Sequence, residues 1–321
     1  MKKHSSSLLA LLSLTIAITV GCGDSNLVPK FAKVAFLSSR TVSPATSLFV
    51  ANLDGTTVTP VPNVPSGYFP SISADLKNVA FESGSNIFVG RVDGTNQTQL
   101  TTSNSALYVR ISPNGNKIVY AESVSGTWHF WISNLDGSGK LDLTPAALGT
   151  TADCFTGSFS ADSSQVVFNC YNQGSFSMYT VKADGSGLKT VLVPSGLFID
   201  TPSFTPDGKK IVFFASGPVT GAAQHSVRVS FTPGARPAEG IRQAGSTTPT
   251  YGITSVNVDG TGATLMVPGS YEAAILNSTL YYTLYTSSVG FNQIYKANPD
   301  GTSAVSISDG TSNDRLGQSQ D

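Results

Sequence analysis

Chemistry in this 321-residue chain would have to come from few side chains: three histidines, three cysteines and twenty carboxylates, sixteen of them aspartates. If the first 21 residues are a cleaved leader, only His129 and His225 remain among the histidines. Two histidines offer little to a hydrolase or lyase that relies on a His base or on His metal ligands. The spacing of the other candidates agrees. There is no Gly-x-Ser-x-Gly nucleophile elbow, no Gly-x-x-x-x-Gly-Lys-Ser/Thr phosphate loop and no His-Glu-x-x-His pair. Asp136 to Asp142 has part of the spacing of a calcium loop, but Lys140 falls among the ligand positions and no bidentate Glu follows. The expectation is a protein that is not an enzyme and that carries no metal and no cofactor.

Most of the acidic residues have a structural reason to be where they are. Asp-Gly recurs after short apolar alternations at Asp54-Gly55, Asp93-Gly94, Asp136-Gly137, Asp184-Gly185, Asp259-Gly260 and Asp300-Gly301, with intervals of 39, 43, 48, 75 and 41 residues. Each pair follows a short apolar alternation such as Ser47 to Leu53, and Asp-Gly between such runs marks a hairpin, because the turn needs a positive φ. A second signature interleaves with the first. Pro70-Ser71-Ile72-Ser73-Ala74-Asp75, Val109 to Gly115, Ser158 to Asp162 and Pro202 to Gly208 each lead into a β-branched run, Asn78 to Phe81, Lys117 to Tyr120, Val166 to Phe168 and Ile211 to Phe213. One period therefore holds two hairpins, or four strands, at about 40 residues. A four-stranded sheet cannot bury both faces alone, so this period implies an all-β β-propeller.

The turns Ser112-Pro113-Asn114-Gly115 and Thr205-Pro206-Asp207-Gly208, the Ile-Val-Phe strand and the following Asp-Gly hairpin together resemble the TolB-type propeller repeat, over residues 31–321. That resemblance implies a fold and little about activity, since the repeat serves scaffolds, enzyme accessory domains and binding proteins alike. The ends complement each other. The first period begins at Lys33-Val34-Ala35-Phe36, a second strand with no first strand before it, and Leu316 to Asp321 aligns with Pro70 to Asp75. The reading is six four-stranded antiparallel blades, with the C-terminal strand joining the N-terminal blade and closing the ring, so that no edge is left open.

Several residues then acquire positions. Glu82 and Glu122 close second strands in adjacent blades, where they either line a shared rim near one mouth or stand as solvated loop residues. Trp128, Phe130 and Trp131 lie with His129 on a third strand, where alternate residues pack between blades; the other reading is an aromatic platform. Cys154 and Cys170 flank the turn at Asp162. If Phe159 opposes Gln165, the two cysteines oppose each other and are within reach of a disulfide. The 75-residue interval places a long insertion, about residues 217–250, between the second and third strands of the fifth repeat. It carries Arg228, Arg236 and Arg242 against Glu239, which suits a partner-contacting surface.

The N-terminus supplies an address. Lys2 and Lys3 precede a 13-residue apolar run, Leu8 to Val20, too short for a membrane span of about 20 residues. It ends in Thr19-Val20-Gly21-Cys22, which resembles a lipobox, with Thr19 where that pattern usually has Leu. The resemblance implies a lipoprotein signal peptide at 1–21, lipidation of Cys22, a tether over 22–30, and, with Gly23 following the cysteine, sorting to the outer membrane facing the periplasm. The net charge is −1, and −3 without Lys2 and Lys3, so no basic field exists to bind nucleic acid. The expected function is that of a monomeric, lipid-anchored envelope scaffold with a protein partner. The alternative is a glycan- or small-ligand-binding lipoprotein that uses the propeller mouth.

Overall fold

The computed structural model describes residues 33–38, 47–52, 59–62, 68–191, 196–217, 251–276, 279–286, 291–298 and 300–306. Among them lie six antiparallel sheets in chain order. The first holds three strands, β1 (Lys33–Ser38), β2 (Ser47–Asn52) and β3 (Thr59–Pro60). The other five hold four each. These are β4 (Tyr68–Ile72), β5 (Asn78–Ser83), β6 (Asn86–Arg91) and β7 (Thr98–Gln99); and β8 (Ala106–Ile111), β9 (Lys117–Val124), β10 (Thr127–Asn134) and β11 (Leu141–Asp142). Next come β12 (Asp153–Phe159), β13 (Gln165–Asn172), β14 (Ser175–Lys182) and β15 (Lys189–Val191). The last two sheets are β16 (Phe198–Phe204), β17 (Lys210–Ser216), β18 (Tyr251–Asn257) and β19 (Thr264–Pro268); and β20 (Ser270–Leu276), β21 (Thr279–Thr286), β22 (Phe291–Ala297) and β23 (Val305–Ser306). Sheet one begins, as its sequence implies, with a strand equivalent to the second strand of the others.

Apolar side chains on both faces of each sheet explain how the sheets stack. Ile118, Val119 and Tyr120 of β9 are all buried, as are Val166, Val167 and Phe168 of β13 and Ile211, Val212 and Phe213 of β17. Successive strand residues point to opposite faces, so such a run needs a cover on each side. The core is accordingly divided among the sheet-to-sheet interfaces. Val119, Phe130 and Ile132 pack on Phe159, Val166, Phe168 and Cys170 of the next sheet. Val167 and Met178, on the opposite face of that sheet, pack on Ile199, Ile211, Phe213 and Val256. The same holds for Ala80, Ile87 and Val89 against Ala106, Ile118 and Tyr120, and for Val212 and Ile253 against Leu280 and Tyr282. First strands adjoin first strands, β4 with β8, β8 with β12, β12 with β16 and β16 with β20. Sheets stacked face to face with their first strands inward form a β-propeller.

The turns show why Asp recurs. In the five Asp-Gly hairpins among the described residues the Gly is left-handed, with φ from 81° to 86° at Gly94, Gly137, Gly185, Gly260 and Gly301. Its N–H donates to the carbonyl three residues back, as from Gly94 to Arg91 and from Gly137 to Asn134, which is a type I turn followed by a left-handed residue. The Asp carboxylate accepts from the hydroxyl and the amide two residues on: Asp93 from Thr95, Asp136 from Ser138, Asp184 from Ser186, Asp259 from Thr261 and Asp300 from Thr302. The first turns repeat the device with Ser73 and Asp75, Ser160 and Asp162, and Thr205 and Asp207. Asn114 replaces Asp beside Ser112. Hydroxyl bonds first and amide bonds second hold Asp93, Asp136 and Asp184 below the ordinary carboxylate value of 3.8.

Each of the five first strands β4, β8, β12, β16 and β20 carries one extra residue relative to its partner, a β-bulge at an equivalent place. In β12 this changes the expected pairing. Phe159 opposes Val166 rather than Gln165, and the bulge between Cys154 and Gly157 shifts the register back, so that Cys154 still opposes Cys170.

Gly157, just past that bulge, lies against the neighbouring sheet. A Cβ there would stand 2.6 Å from Phe130 Cζ and 2.8 Å from Phe168 Cβ, and closer still to the Val167 carbonyl. Gly157→Ala is therefore expected to cost about 1–3 kcal/mol through overpacking of this interface. The urea midpoint of the variant measures it, and an unchanged midpoint would refute the packing account.

Candidate functional site

Glu82 and Glu122 are not solvated loop residues: both lie on strands and are buried. Glu82, on β5, is 5% exposed and Glu122, on β9, is 7% exposed. Glu82 shares a face of β5 with Ala80, and Glu122 shares a face of β9 with Tyr120, and those two faces meet in one interface. The two carboxylates thus enter the same seam from opposite sheets, each with its own partner. Glu122 is paired with Lys140, whose ammonium lies 4.2 Å from the Trp131 ring centroid and 5.7 Å from that of Tyr120. Beside it His129 Nδ1 lies 2.6 Å from Asp142 Oδ2. Lys140 therefore serves a structural corner joined by charge and ring contacts. Asp136, at the start of the partial calcium spacing, already accepts from Ser138 twice.

Glu82 accepts from the backbone N–H of Tyr108, in the bulge of the next first strand, and its Oε2 is buried without a hydrogen-bond partner. Burial raises its pKa from 4.5 to about 8, the amide bond opposing the shift. The acid is therefore largely protonated at neutral pH.

Tyr108 leads to a group of residues that the sequence reading did not single out. Tyr108 and Arg110 come from β8, Thr156 from β12 and Asp200 from β16, three consecutive first strands. Thr156 Oγ1 donates to Asp200 Oδ1 at 2.8 Å, and the Thr201 N–H donates to the same carboxylate oxygen at 2.8 Å. Asn169 anchors the pair from behind, accepting from the Thr156 amide at 2.9 Å, sharing the single Thr156 hydroxyl proton with Asp200 at 3.0 Å, and donating to the Ile199 carbonyl at 2.7 Å. The guanidinium of Arg110 donates to the Val109 carbonyl at 2.9 Å and lies in electrostatic range of Asp200 and Tyr108. Burial pushes Asp200 above its ordinary value and Arg110 below its own, each charge partly offsetting the other's shift. Burial, then the charges of Asp200 and Glu82, holds the Tyr108 phenol well above 10. Two backbone outliers frame the group: Tyr108 at φ 59° and Thr201 at φ 49°. A positive φ at an aromatic or β-branched residue is strained. One pattern in the sequence marks these residues. At the corresponding bulge positions the repeats carry Ser71, Gly157 and Ser203 where Arg110 stands, and Leu107 and Cys154 where Asp200 stands.

Cys154 and Cys170 are joined by a disulfide with an S–S distance of 2.00 Å. It closes a 16-residue separation, worth about 3 kcal/mol by loop entropy. Cys154 immediately precedes the bulge that carries Thr156, so the bond braces the strand pair behind Asp200's partner. The aromatic run of β10 divides by face. Phe130 is fully buried against Phe168 at 5.0 Å, Trp131 faces the Lys140 corner, and Trp128 meets Phe155 at 6.4 Å. A row of half-buried rings continues from there: Tyr171, Phe176, Phe198, Phe214 and Tyr251, with successive centroids 4.9, 4.9, 6.0 and 6.4 Å apart. Cys22, Arg228, Arg236 and Arg242 lie outside the described residues.

Glu82 yields a pH prediction. A carboxyl whose pKa is higher folded than unfolded favours folding fully below about pH 4.5, and that contribution is lost as pH rises toward about 8. Wild type is expected to lose thermal stability relative to Glu82→Gln across this window, with no further divergence above it. Tm measured for both proteins from pH 4 to 9 tests this; parallel curves would show that Glu82 does not titrate as its burial requires.

No family model matches the sequence, and no curated protein does. Solved structures match its fold. TolB from Acinetobacter baumannii superposes with a TM-score of 0.57 at 17% identity, over 84% of this chain and 61% of its own. The present chain thus spans about three-fifths of that protein. A putative TolB from Agrobacterium tumefaciens matches with a TM-score of 0.59 at 16% identity, over 85% of this chain and 94% of its own. The β-propeller domain of the Trilobed protease from Pyrococcus furiosus matches with a TM-score of 0.55 at 13% identity, over 93% and 85%. At these identities the likeness concerns fold: the chain is a TolB-like β-propeller.

Proposed function

We propose that this protein is a lipid-anchored, non-enzymatic envelope scaffold that binds a protein partner through the rim of a six-bladed propeller. The observation that carries the reading is the join between β17 and β18. Ser216 pairs directly with Tyr251 and the ladder continues without a break to Lys210 and Asn257, so residues 217–250 are surplus to a sheet already complete in register. A connection of that length between adjacent paired strands has no architectural duty and is available for recognition. It is flanked by the paired strand residues Ser216 and Tyr251, and the half-buried rings of Phe214 and Tyr251 lie at that pair. Arg228, Arg236 and Arg242 give it a local positive charge in an acidic protein, suited to carboxylates on a partner.

The remaining parts of the reading follow from the sequence. Cys22 is the lipidated N-terminus, and Gly23 after it directs the protein to the outer membrane, facing the periplasm. Leu316 to Asp321 supplies the first strand that the three-stranded sheet β1–β3 lacks, closing the ring at six blades. The TolB resemblance implies protein contacts at the mouth or rim.

Two experiments test this. Crosslinking and pull-down from envelope membranes should recover a protein with the intact chain and lose it when Pro218–Thr250 is deleted; recovery of the same protein by both forms would remove the insertion from the interface, and recovery of none would remove the scaffold. Cys22→Ser should abolish labelling by palmitate and release the protein from the membrane fraction, whereas continued labelling would place the lipid elsewhere.

A further inference from the structure

The turns between first and second strands share one device, and the third sheet departs from it. Asp75, Asp162 and Asp207 each accept from a hydroxyl two residues back, at 2.7, 2.6 and 2.6 Å, and from an amide two residues on, at 3.1, 3.0 and 3.1 Å. Between β8 and β9 the same place is held by Asn114. Its Oδ1 accepts from Ser112 Oγ at 2.8 Å and from the Asn116 N–H at 3.1 Å. The carbonyl oxygen thus reproduces both bonds, and the amide nitrogen enters neither. A carboxylate would make the same two bonds with the added strength of its charge. The turn favours that charge where it occurs, since hydroxyl bonds foremost hold Asp162 and Asp207 below the ordinary value of 3.8. Asn114 is also exposed and is followed by Gly115, the one Asn-Gly step among the 321 residues. Glycine has no side chain to shield its own nitrogen, so an asparagine before it is the most open to attack by that nitrogen.

We propose that Asn114 is a site of spontaneous deamidation, and that the product is aspartate, which gives the third sheet the turn its neighbours already have. The Gly115 nitrogen loses its proton and bonds to Asn114 Cγ. The bond from Cγ to Nδ2 breaks, and ammonia leaves with that proton, closing a succinimide. Water then adds at Cγ, the bond to the Gly115 nitrogen breaks, and that nitrogen takes a proton back. The sum is amide plus water to carboxylic acid plus ammonia, with the main chain restored. Opening the ring at the main-chain carbonyl would instead leave isoaspartate, with a methylene inserted into the backbone. This turn has no slack for it. The Pro113 carbonyl accepts from the Ala74 N–H of the preceding sheet at 3.0 Å, and the Asn114 N–H donates to Ser163 Oγ of the following sheet at 3.0 Å. A Cβ on Gly115 would stand 3.2 Å from Ser73 Cβ, so the chain is closely packed there as well. The same clamping slows the reaction, because the Gly115 N–H that must be freed donates to the Ser112 carbonyl at 2.8 Å.

The test holds the full-length chain, folded and in urea, in mildly alkaline buffer and follows residue 114 by peptide mapping. The folded chain should gain acid at Asn114 about tenfold to a hundredfold more slowly than the unfolded one, the cost of opening the turn locally. In the folded chain the product should be cleaved by an Asp-specific protease and escape labelling by isoaspartate methyltransferase, whereas the unfolded chain should give both isomers. Asn114→Asp, the product made by mutation, should have a Tm at neutral pH no lower than wild type, and Asn114→Ala, which loses both turn bonds, should melt lower. Isoaspartate in excess in the folded chain, folded conversion as fast as unfolded or absent altogether, or a lowered Tm for Asn114→Asp would each overturn the proposal. None of these readouts involves the lipid or a partner, so the scaffold reading is left to its own experiments.

Discussion

Every sheet in this molecule has two apolar faces and no means of covering either by itself. That single constraint determines the rest. Val166, Phe168 and Cys170 look toward one neighbour while Val167 looks toward the other, so the hydrophobic energy of β13 is realised only when sheets stand on both sides. The core is a series of interfaces, each shared by two sheets, and no central core exists among the described residues. With apolar side chains directed between sheets, the few polar groups that enter the faces, Glu82, Glu122 and Asn169 among them, are buried and most others are left to the strand edges and the turns. The inward edges of the first strands and the hairpin ends are therefore where recognition has room to develop.

The low charge content is spent accordingly. Asp75, Asp93, Asp136, Asp162, Asp184, Asp207, Asp259 and Asp300 each accept from the turn that holds them, which fixes the hairpin while leaving little capacity for a ligand. A carboxylate satisfied by two local donors is structural wherever it sits. Charged residues on strands are a different matter. Glu82, Glu122 and Asp200 each reach a neighbouring strand or sheet, while Arg110 donates to the adjoining Val109 carbonyl. Glu122 is answered by Lys140, while Glu82 has one oxygen unanswered and Arg110 and Asp200 meet no ion-pair partner among the described residues.

The period, the four-strand unit and the incomplete first sheet were legible because they are local: Asp-Gly turns, Ser-x-Asp turns and β-branched runs specify hairpins within a few residues. The bulges were not, because an extra residue in β8 or β12 leaves no mark in hydrophobic alternation that a short strand would reveal. That is why the pairing of Phe159 with Gln165, natural for a regular ladder, is off by one, and why Cys154 meets Cys170 only after the bulge compensates. The burial of Glu82 and Glu122 was hidden for a related reason. Position at the end of a second strand suggests exposure, whereas the adjoining first strand and the hairpin of Lys140 cover that end from the next repeat and from the same sheet. The group around Asp200 was hidden most thoroughly, since it joins residues about 45 positions apart that no single repeat contains.

The bulges connect these observations. A regular first strand would direct its side chains only to the two interfaces, leaving the inward edge lined by backbone. One extra residue turns part of the strand, so that the Tyr108 amide reaches Glu82 of the preceding sheet and the Thr156 hydroxyl reaches Asp200 of the following one. Four of the bulges sit in the same register; among the described residues β8 and β16 combine the bulge with a left-handed non-glycine residue, and those are the strands that bring Arg110 and Asp200. β12 between them carries the disulfide instead, immediately before its bulge. Strain at two bulges and a covalent brace at the third therefore concentrate rigidity on three consecutive first strands, the ones that carry the half-buried Arg110 and Asp200 and the Thr156 hydroxyl that joins β12 to β16.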